Sequence, residues 1–326
     1  MREPLFLFLQ FDYILKLEIM KIAIIGSGGV GGYFGGKMAK AGYDVTFVAR
    51  GEHLRTMQHN GLWVKSLKGD FKVDQVKATD NLSDIAKADL ILLAVKAWQV
   101  KEVAKQLQPI LGQNTIILPL QNGVLSVDEL REKLPEKSIL SGLCRIISKI
   151  ESPGVINHFG VEPMIIFGET DNSKSTRVQK IKEVFDNSDI DTLVPKEIQV
   201  EIWKKYITIC VSGLLAVSRT TYGELRELKE TRQMMIDLFY EVYHLARKMD
   251  ISIKPDFVEK TVAFIDTFPY NTTSSLTRDV LEGKPSEIEY QNGTVVKLGE
   301  KYGVHTPVNN FVYSCILPME IKARKQ

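Results

Sequence analysis

The sequence predicts an α/β protein in which a doubly wound parallel sheet is followed by an all-helical C-terminal domain. Three observations predict it. Residues 21–50 read as strand, glycine turn, helix and strand. Short apolar runs then alternate with helical stretches through about residue 150, the pattern of a parallel sheet with crossover helices. From about Pro195 onward the apolar positions recur at helical spacing alone. The expected divisions are an extension over 1–19, a sheet domain over 20–194 and a helical domain over 195–326.

Ile22, Ala23, Ile24 and Ile25 form an apolar run suited to a strand buried on both faces. Gly26, Ser27, Gly28, Gly29, Val30 and Gly31 follow at once and fit G-x-G-x-x-G, opening a helix that runs to about Ala41. In such a Rossmann-type turn the first glycine permits the bend, the second lets backbone approach a pyrophosphate, and the third lets helix pack on strand. The phosphates rest on the free amides and positive dipole end of the helix. Gly42 suits the helix C-terminus, and residues 44–49 make the next strand, with Arg50 at its tip. An NAD site would carry an acidic residue here to accept from the ribose 2′-hydroxyl. A guanidinium cannot accept, and it suits a 2′-phosphate. The expected cofactor is therefore NADP(H), with Arg55 one turn on as an assistant.

Residues 62–66 and 71–73 read as a hairpin around Lys68, Gly69 and Asp70. Residues 90–95 and 115–120 are further buried strands, with a helix over 99–111 between them. Strands are expected over 139–148 and 155–167 and a helix over 176–186. The helical half is expected at 196–218, 223–249, 255–267 and 286–303. Its first helix keeps Ile198, Ile202, Tyr206 and Ile209 on one stripe, and its second Met235, Leu238, Phe239, Val242 and Leu245. Two halves of this kind leave a cleft between them for substrate.

Composition excludes several classes. With 44% apolar residues, 25% charged residues and a net charge of +2, the chain shows no basic run for nucleic acid. Cys144, Cys210 and Cys315 are far apart, with no C-x-x-C. They read as reduced core cysteines of a cytoplasmic protein, and no metal site is expected. Residues 1–19 carry an apolar block over 5–9, but Asp12, Lys16 and Glu18 interrupt it before it could span a bilayer. No basic n-region or small-residue cleavage site marks a signal peptide, so no membrane partner is expected and the segment reads as dispensable. A homodimer is left open.

Four clusters then line up: Lys96-Ala97-Trp98-Gln99, Gln121-Asn122-Gly123, Trp203-Lys204-Lys205, and Ser274-Ser275 ahead of Glu287-Ile288-Glu289-Tyr290-Gln291-Asn292-Gly293. In this order the chain, from residue 20 to about 315, resembles the ketopantoate reductases, the NADPH enzymes of pantothenate synthesis. Reducing a 2-keto acid needs a hydride at the carbonyl carbon and a proton for the oxygen. A desolvated lysine suits the second task, because burial lowers its pKa and its charge steadies the oxyanion. The resemblance implies that Lys205 is the proton donor, with Lys204 the competitor by residue type alone. It implies that Asn122 bridges cofactor and substrate, that Lys96 lies by the cofactor, and that Ser275 binds the substrate carboxylate. It also implies that Glu287 contacts the cofactor and helps fix the lysine.

One departure concerns the substrate. The family usually carries two asparagines one and two turns after the lysine. Counting from Lys205 gives Ile209 and Gly213 there, whereas counting back from Leu214-Leu215-Ala216 gives Thr208 and Ser212. A third usual asparagine is replaced by Tyr222. Ketopantoate is the leading substrate, the alternatives being another branched 2-keto acid or a silent NADP(H)-binding sensor. A chain begun at Met20 should keep its fold and activity. Circular dichroism and turnover check this, and an insoluble or inactive product would show that residues 5–9 pack into the core.

Overall fold

The computed structural model describes residues 20–325, so the expected extension lies outside the described residues. The chain opens with β1 (Lys21–Ile25), β2 (Asp44–Val48), β3 (Leu62–Ser66), β4 (Phe71–Val73), β5 (Lys77–Thr79), β6 (Leu90–Leu93) and β7 (Ile116–Pro119). Five of these form an all-parallel sheet of order β5-β2-β1-β6-β7. Alternation of side chains across the pleat sends neighbouring residues into two cores. Ile22, Ile24, Phe47, Leu90 and Leu92 pack on one face with Phe34 and Met38 of helix α1 (Gly29–Lys40). Ala23, Ile25, Ile91 and Leu93 pack on the other face. After α2 (Gly51–Asn60), the helix α3 (Val100–Leu107) covers that second face through Val103 and Leu107. The short α4 (Ser126–Arg131) adds Val127 and Leu130.

The β3–β4 hairpin forms with antiparallel pairing, but it stands outside the main sheet. The expected strand over 139–148 is in fact β8 (Ser141–Arg145) and β9 (Ser148–Ser152), and the one over 155–167 is β10 (Val155–His158) and β11 (Met164–Gly168). Gly160 and Pro163, which weaken a ladder, fall in the second break. With β12 (Asp191–Leu193) these strands make a four-stranded sheet, β4-β3-β10-β9, and a three-stranded one, β12-β11-β8. Helix α5 (Thr176–Asn187) packs Ile181 and Phe185 into the first core.

From Ile198 the described chain is helical: α6 (Ile198–Ile209), α7 (Val211–Ser218), α8 (Tyr222–Glu227), α9 (Lys229–Lys248), α10 (Phe257–Asp266), α11 (Ser275–Leu281), a wide π turn (Glu289–Gly293), α12 (Thr294–Tyr302) and α13 (Pro307–Ala323). The expected helix over 196–218 divides at Cys210, whose carbonyl accepts from Asn292 Nδ2 at 3.0 Å. The one over 223–249 divides at Leu228, and Thr221 caps α8 in a capping box with Glu224. The stripe of α9 is buried as expected, whereas Ile209 of the α6 stripe is only half-buried, and of the three expected core cysteines Cys315 is instead exposed on α13. Leu143 and Ile166 of the third sheet meet Ile198 and Ile202 of α6 in a small cluster that joins the two regions. Among the described residues no helix is long and apolar enough to cross a membrane.

Close packing of α1 on β1 depends on Gly31. A Cβ there would stand 2.3 Å from the Gly26 carbonyl oxygen and 2.8 Å from Ile24 Cγ2. Gly31→Ala should therefore destabilise the fold by about 1–3 kcal/mol. A urea midpoint equal to that of the parent would refute this account of the turn.

Candidate active site

A cleft of about 1190 Å³ opens at the C-terminal edge of the parallel sheet, where the strand tips face α6, α10 and α11. Open α/β sheets bind ligands at this edge. The glycine turn forms one wall. Gly26 has φ +94°, in the region that disfavours side chains, and a Cβ on Gly28 would meet nothing within 4 Å. Gly28 thus offers bare backbone to the cleft. Ser27 Oγ donates to the Val48 carbonyl at 3.0 Å and holds the turn against β2. Gly29 abuts Ser148, whose carbonyl oxygen would lie 2.5 Å from a Cβ placed on that glycine, and Val30 is half-buried against the sheet core. No side chain caps α1, and no acidic residue stands in its first turn. An uncapped helix start over bare glycine fits the phosphates of a dinucleotide.

Arg50 is exposed on the cleft wall just past β2. Arg55, expected to assist it, is instead paired with Glu52 at 2.5 Å on the same helix and is not part of the cleft lining. His53 occupies the inner position. Its Nε2 lies 2.9 Å from the Ser27 carbonyl oxygen, and its Nδ1 accepts from the Gly154 amide at 3.0 Å. Since Gly154 brings a proton, Nδ1 is bare, and the ring is the neutral Nε2–H tautomer. Burial holds its pKa below the usual 6.5, although the Ser27 contact works the other way. His53 therefore ties the glycine turn to the β9–β10 hairpin. No sequence motif surrounds this histidine, so residue spacing gave no signal for it.

Past β6, Lys96 lines the cleft and pairs with Asp279 of α11 at 2.8 Å. Past β7, Asn122 Nδ2 donates to Glu287 Oε2 at 3.2 Å. The other oxygen of Glu287 accepts from the Ala97 amide at 3.0 Å, and the carboxylate is 5% exposed. Lys205 on α6 is half-buried and donates from Nζ to the Cys144 carbonyl at 2.6 Å. Burial lowers its pKa from the usual 10.5, opposed by Cys144 and by the Glu287 carboxylate. Glu287 thus acts on the lysine through charge, while the hydrogen bond that holds Nζ comes from β8. Lys204 also reaches the cleft but is paired with Glu201 at 2.7 Å.

Thr208, Ile209 and Ser212 all line the cleft. Gly213 faces away, packed against Asn292 and Val312, which favours Thr208 and Ser212 as the cleft-facing pair two turns deep. The Thr208 hydroxyl donates to the Lys204 carbonyl of its own helix at 3.0 Å. Tyr222 is buried on the cleft wall, and burial raises its phenol pKa. Ser275 is exposed at the first turn of α11, beside Ser274, which caps the helix through the Thr277 amide at 3.0 Å. Three cations that were given no role from the sequence, Arg145, Lys260 and Arg278, also line the cleft.

Residues 22–172 match the family described as ketopantoate reductase PanE/ApbA, and residues 197–320 match its C-terminal counterpart. A 2-dehydropantoate 2-reductase of Nostoc is 31% identical over 299 residues, covering 90% of this chain and 93% of the relative. The chain belongs to the ketopantoate reductase family. It is an oxidoreductase of that family. An uncharacterized oxidoreductase of Bacillus subtilis, YkpB, is 26% identical over 298 residues, covering 90% of this chain and 97% of the relative. Among solved structures, a PanE/ApbA family ketopantoate reductase from Ralstonia eutropha superposes with a TM-score of 0.86 at 27% identity, covering 94% of this chain and all of that one (100%). A D-mandelate dehydrogenase solved with NADH and anilino(oxo)acetate shares the fold, with a TM-score of 0.84 at 22% identity over 94% of this chain and 99% of its own.

His53 generates a prediction. His53→Ala removes a half-buried two-sided contact under the glycine turn and should weaken binding of a nicotinamide cofactor about ten-fold. Fluorescence titration reads the change, and an unaltered Kd would mean that the turn holds its shape without the ring.

Proposed function

We propose that this chain is an NADPH-dependent reductase of 2-keto acids, with ketopantoate, reduced to pantoate in pantothenate synthesis, as the leading substrate. The observation that carries the reading is Lys205: a half-buried ammonium on the cleft, with its pKa lowered by burial. Reduction adds a hydride to the carbonyl carbon and a proton to its oxygen. A bound nicotinamide cofactor supplies the hydride. Lys205 Nζ supplies the proton, and its charge steadies the oxygen as electrons move onto it. Glu287 accepts one N–H of the Asn122 amide, which leaves the second N–H and the carbonyl of that amide for ligands. Ser275 meets the substrate carboxylate, Lys96 borders the cofactor, and the exposed Arg50 guanidinium meets a 2′-phosphate.

Residues 20–194 and 195–326 act in this reading as a cofactor domain and a substrate domain. Retention of both Lys205 and Glu287 disfavours a silent sensor, which has no use for a proton donor. A second substrate reading, another branched 2-keto acid, is favoured by Thr208 and Ser212 standing where the family usually has amides.

Lys205→Ala should lower kcat at least about 10²-fold with NADPH affinity unchanged, and Lys204→Ala should retain activity; the reverse outcome would move the proton donor by one residue. In the parent, kcat for reduction should fall as pH rises through the lowered lysine pKa, because deprotonation removes the donor. A flat alkaline profile would take Lys205 out of the chemistry. Arg50→Ala should remove most of a preference for NADPH over NADH that is worth roughly 1.5–3 kcal/mol, while NADH binding stays nearly constant. Equal loss of both cofactors would remove the 2′-phosphate from Arg50.

A further inference from the structure

Most cations that line the cleft are paired with carboxylates of the chain itself. Lys96 pairs with Asp279 at 2.8 Å, Lys260 with Asp256 at 2.5 Å, and Lys204 and Arg145 with Glu201 at 2.7 and 3.8 Å. Among the described residues, Arg50, Lys205 and Arg278 line the cleft without such a partner. Arg50 and Lys205 have roles in the reading above, at the 2′-phosphate and at the keto oxygen. Arg278 has none. It is half-buried, and Nη1 donates to Thr273 Oγ1 at 3.2 Å, its one hydrogen bond among the described residues. The acidic residues nearest it in sequence are both engaged, Asp279 with Lys96 and Glu282 with Lys284 at 2.5 Å.

The helix fixes where this guanidinium stands. Leu276, Thr277 and Val280 are the buried residues of α11, and Thr277 Oγ1 donates to the Ser212 carbonyl at 2.9 Å, so that side is spent on α7. Ser275 and Arg278, spaced i and i+3, share the opposite face, and both line the cleft. The bond to Ser212 sets α11 just past the helix of Lys205, and the Lys96–Asp279 pair ties it to the sheet edge. A charge drawn partly out of water with no counter-charge is unfavourable, and a ligand anion removes that cost. A 2-keto acid brings its anion to a fixed place, because the carboxylate carbon is bonded to the keto carbon that Lys205 attends. The serine hydroxyl offers a carboxylate a single hydrogen bond, whereas a guanidinium offers two parallel ones and a charge. We propose that Arg278, beside Ser275, binds the substrate carboxylate as an ion pair. The inference rests on the 2-keto acid reading. It supplies affinity that does not depend on the substrate side chain, in a chain where Thr208, Ser212 and Tyr222 stand in place of the usual asparagines.

Steady-state kinetics of the full chain with NADPH tests this on ketopantoate and on 3-methyl-2-oxobutanoate, the same acid without its hydroxymethyl group. Arg278→Ala should raise the KM of ketopantoate about ten-fold or more. The KM of the second acid, or its Ki where it is not turned over, should rise by a similar factor. The NADPH Kd, read by fluorescence, should stay unchanged, and kcat should fall less than KM rises. Arg278→Lys should recover part of the loss, since an ammonium keeps the charge without the fork, and so should guanidinium ion added to Arg278→Ala. An unchanged KM in Arg278→Ala overturns the inference. A rise for one acid only also overturns it, since the arginine would then touch the side chain, as does weakened NADPH binding, since it would then face the cofactor. A raised KM that neither lysine nor guanidinium restores overturns it too, because the residue would then act through shape and not charge. All of these leave the 2-keto acid reading standing. NADPH binding by the parent with no turnover of either acid overturns the reading beneath it.

Discussion

Glu287 is a carboxylate almost closed off from water, and the two hydrogen bonds that make its burial tolerable both come from the other half of the molecule. Ala97 donates from just past β6 and Asn122 from just past β7. A buried charge without partners is strongly unfavourable, so the helical region is held against the C-terminal edge of the parallel sheet at this point. The other contacts across the cleft agree with that placement. Lys205 reaches the Cys144 carbonyl, Lys96 reaches Asp279, and the Tyr290 hydroxyl donates to Glu129 at 3.2 Å. Gly123 lets the Tyr290 carbonyl come close, since a Cβ would stand 2.9 Å from its oxygen.

The helix that carries Lys205 is itself fixed from behind. Where α6 passes into α7, Asn292 binds the Cys210 carbonyl and, at 2.9 Å, Asn309 of α13; Asn309 in turn donates to Glu241 of α9 at 2.7 Å. All three side chains are buried. Asn292 lies in the same short block as Glu287, so one stretch of chain both clamps the sheet edge and locks the helix of the lysine. A proton donor gains from such rigidity, because its usefulness depends on where Nζ stands.

What could be read from the residues follows from how local each constraint is. The glycine turn was legible because a positive φ at Gly26 and the clash at Gly31 are local demands that only glycine meets. Four strands of the parallel sheet and the stripe of α9 were legible because both faces, or one clear face, are apolar; the edge strand β5, with no buried residue, was not. Helix α13 was not, since Pro307 and Pro318 break its pattern and it buries Asn309 and Glu320. The splitting of 139–148 and 155–167 between two sheets depends on which strands they meet, which no local pattern carries. His53 was invisible for the same reason: its partners are Ser27 and Gly154, distant in sequence and met through backbone atoms whose residue identity leaves no trace.

Spacing beyond Lys205 allowed two registers, and the fold separates them by direction. Gly213 points into the helical core, where a side chain would strike Asn292 Oδ1 at 2.5 Å and Val312 Cγ1 at 2.5 Å. Ser212 and Thr208 turn to the cleft. The core demands glycine at 213, so the cleft-facing position of this stretch falls one residue earlier, at Ser212. Thr208 on α6 and Ser212 on α7 share the cleft lining with Phe257 and Phe264 of α10. Lys205, one turn before Thr208 on the same helix, keeps its own anchor at the Cys144 carbonyl. Changes at Thr208 or Ser212 therefore alter the lining beside the lysine without removing the hydrogen bond that holds Nζ.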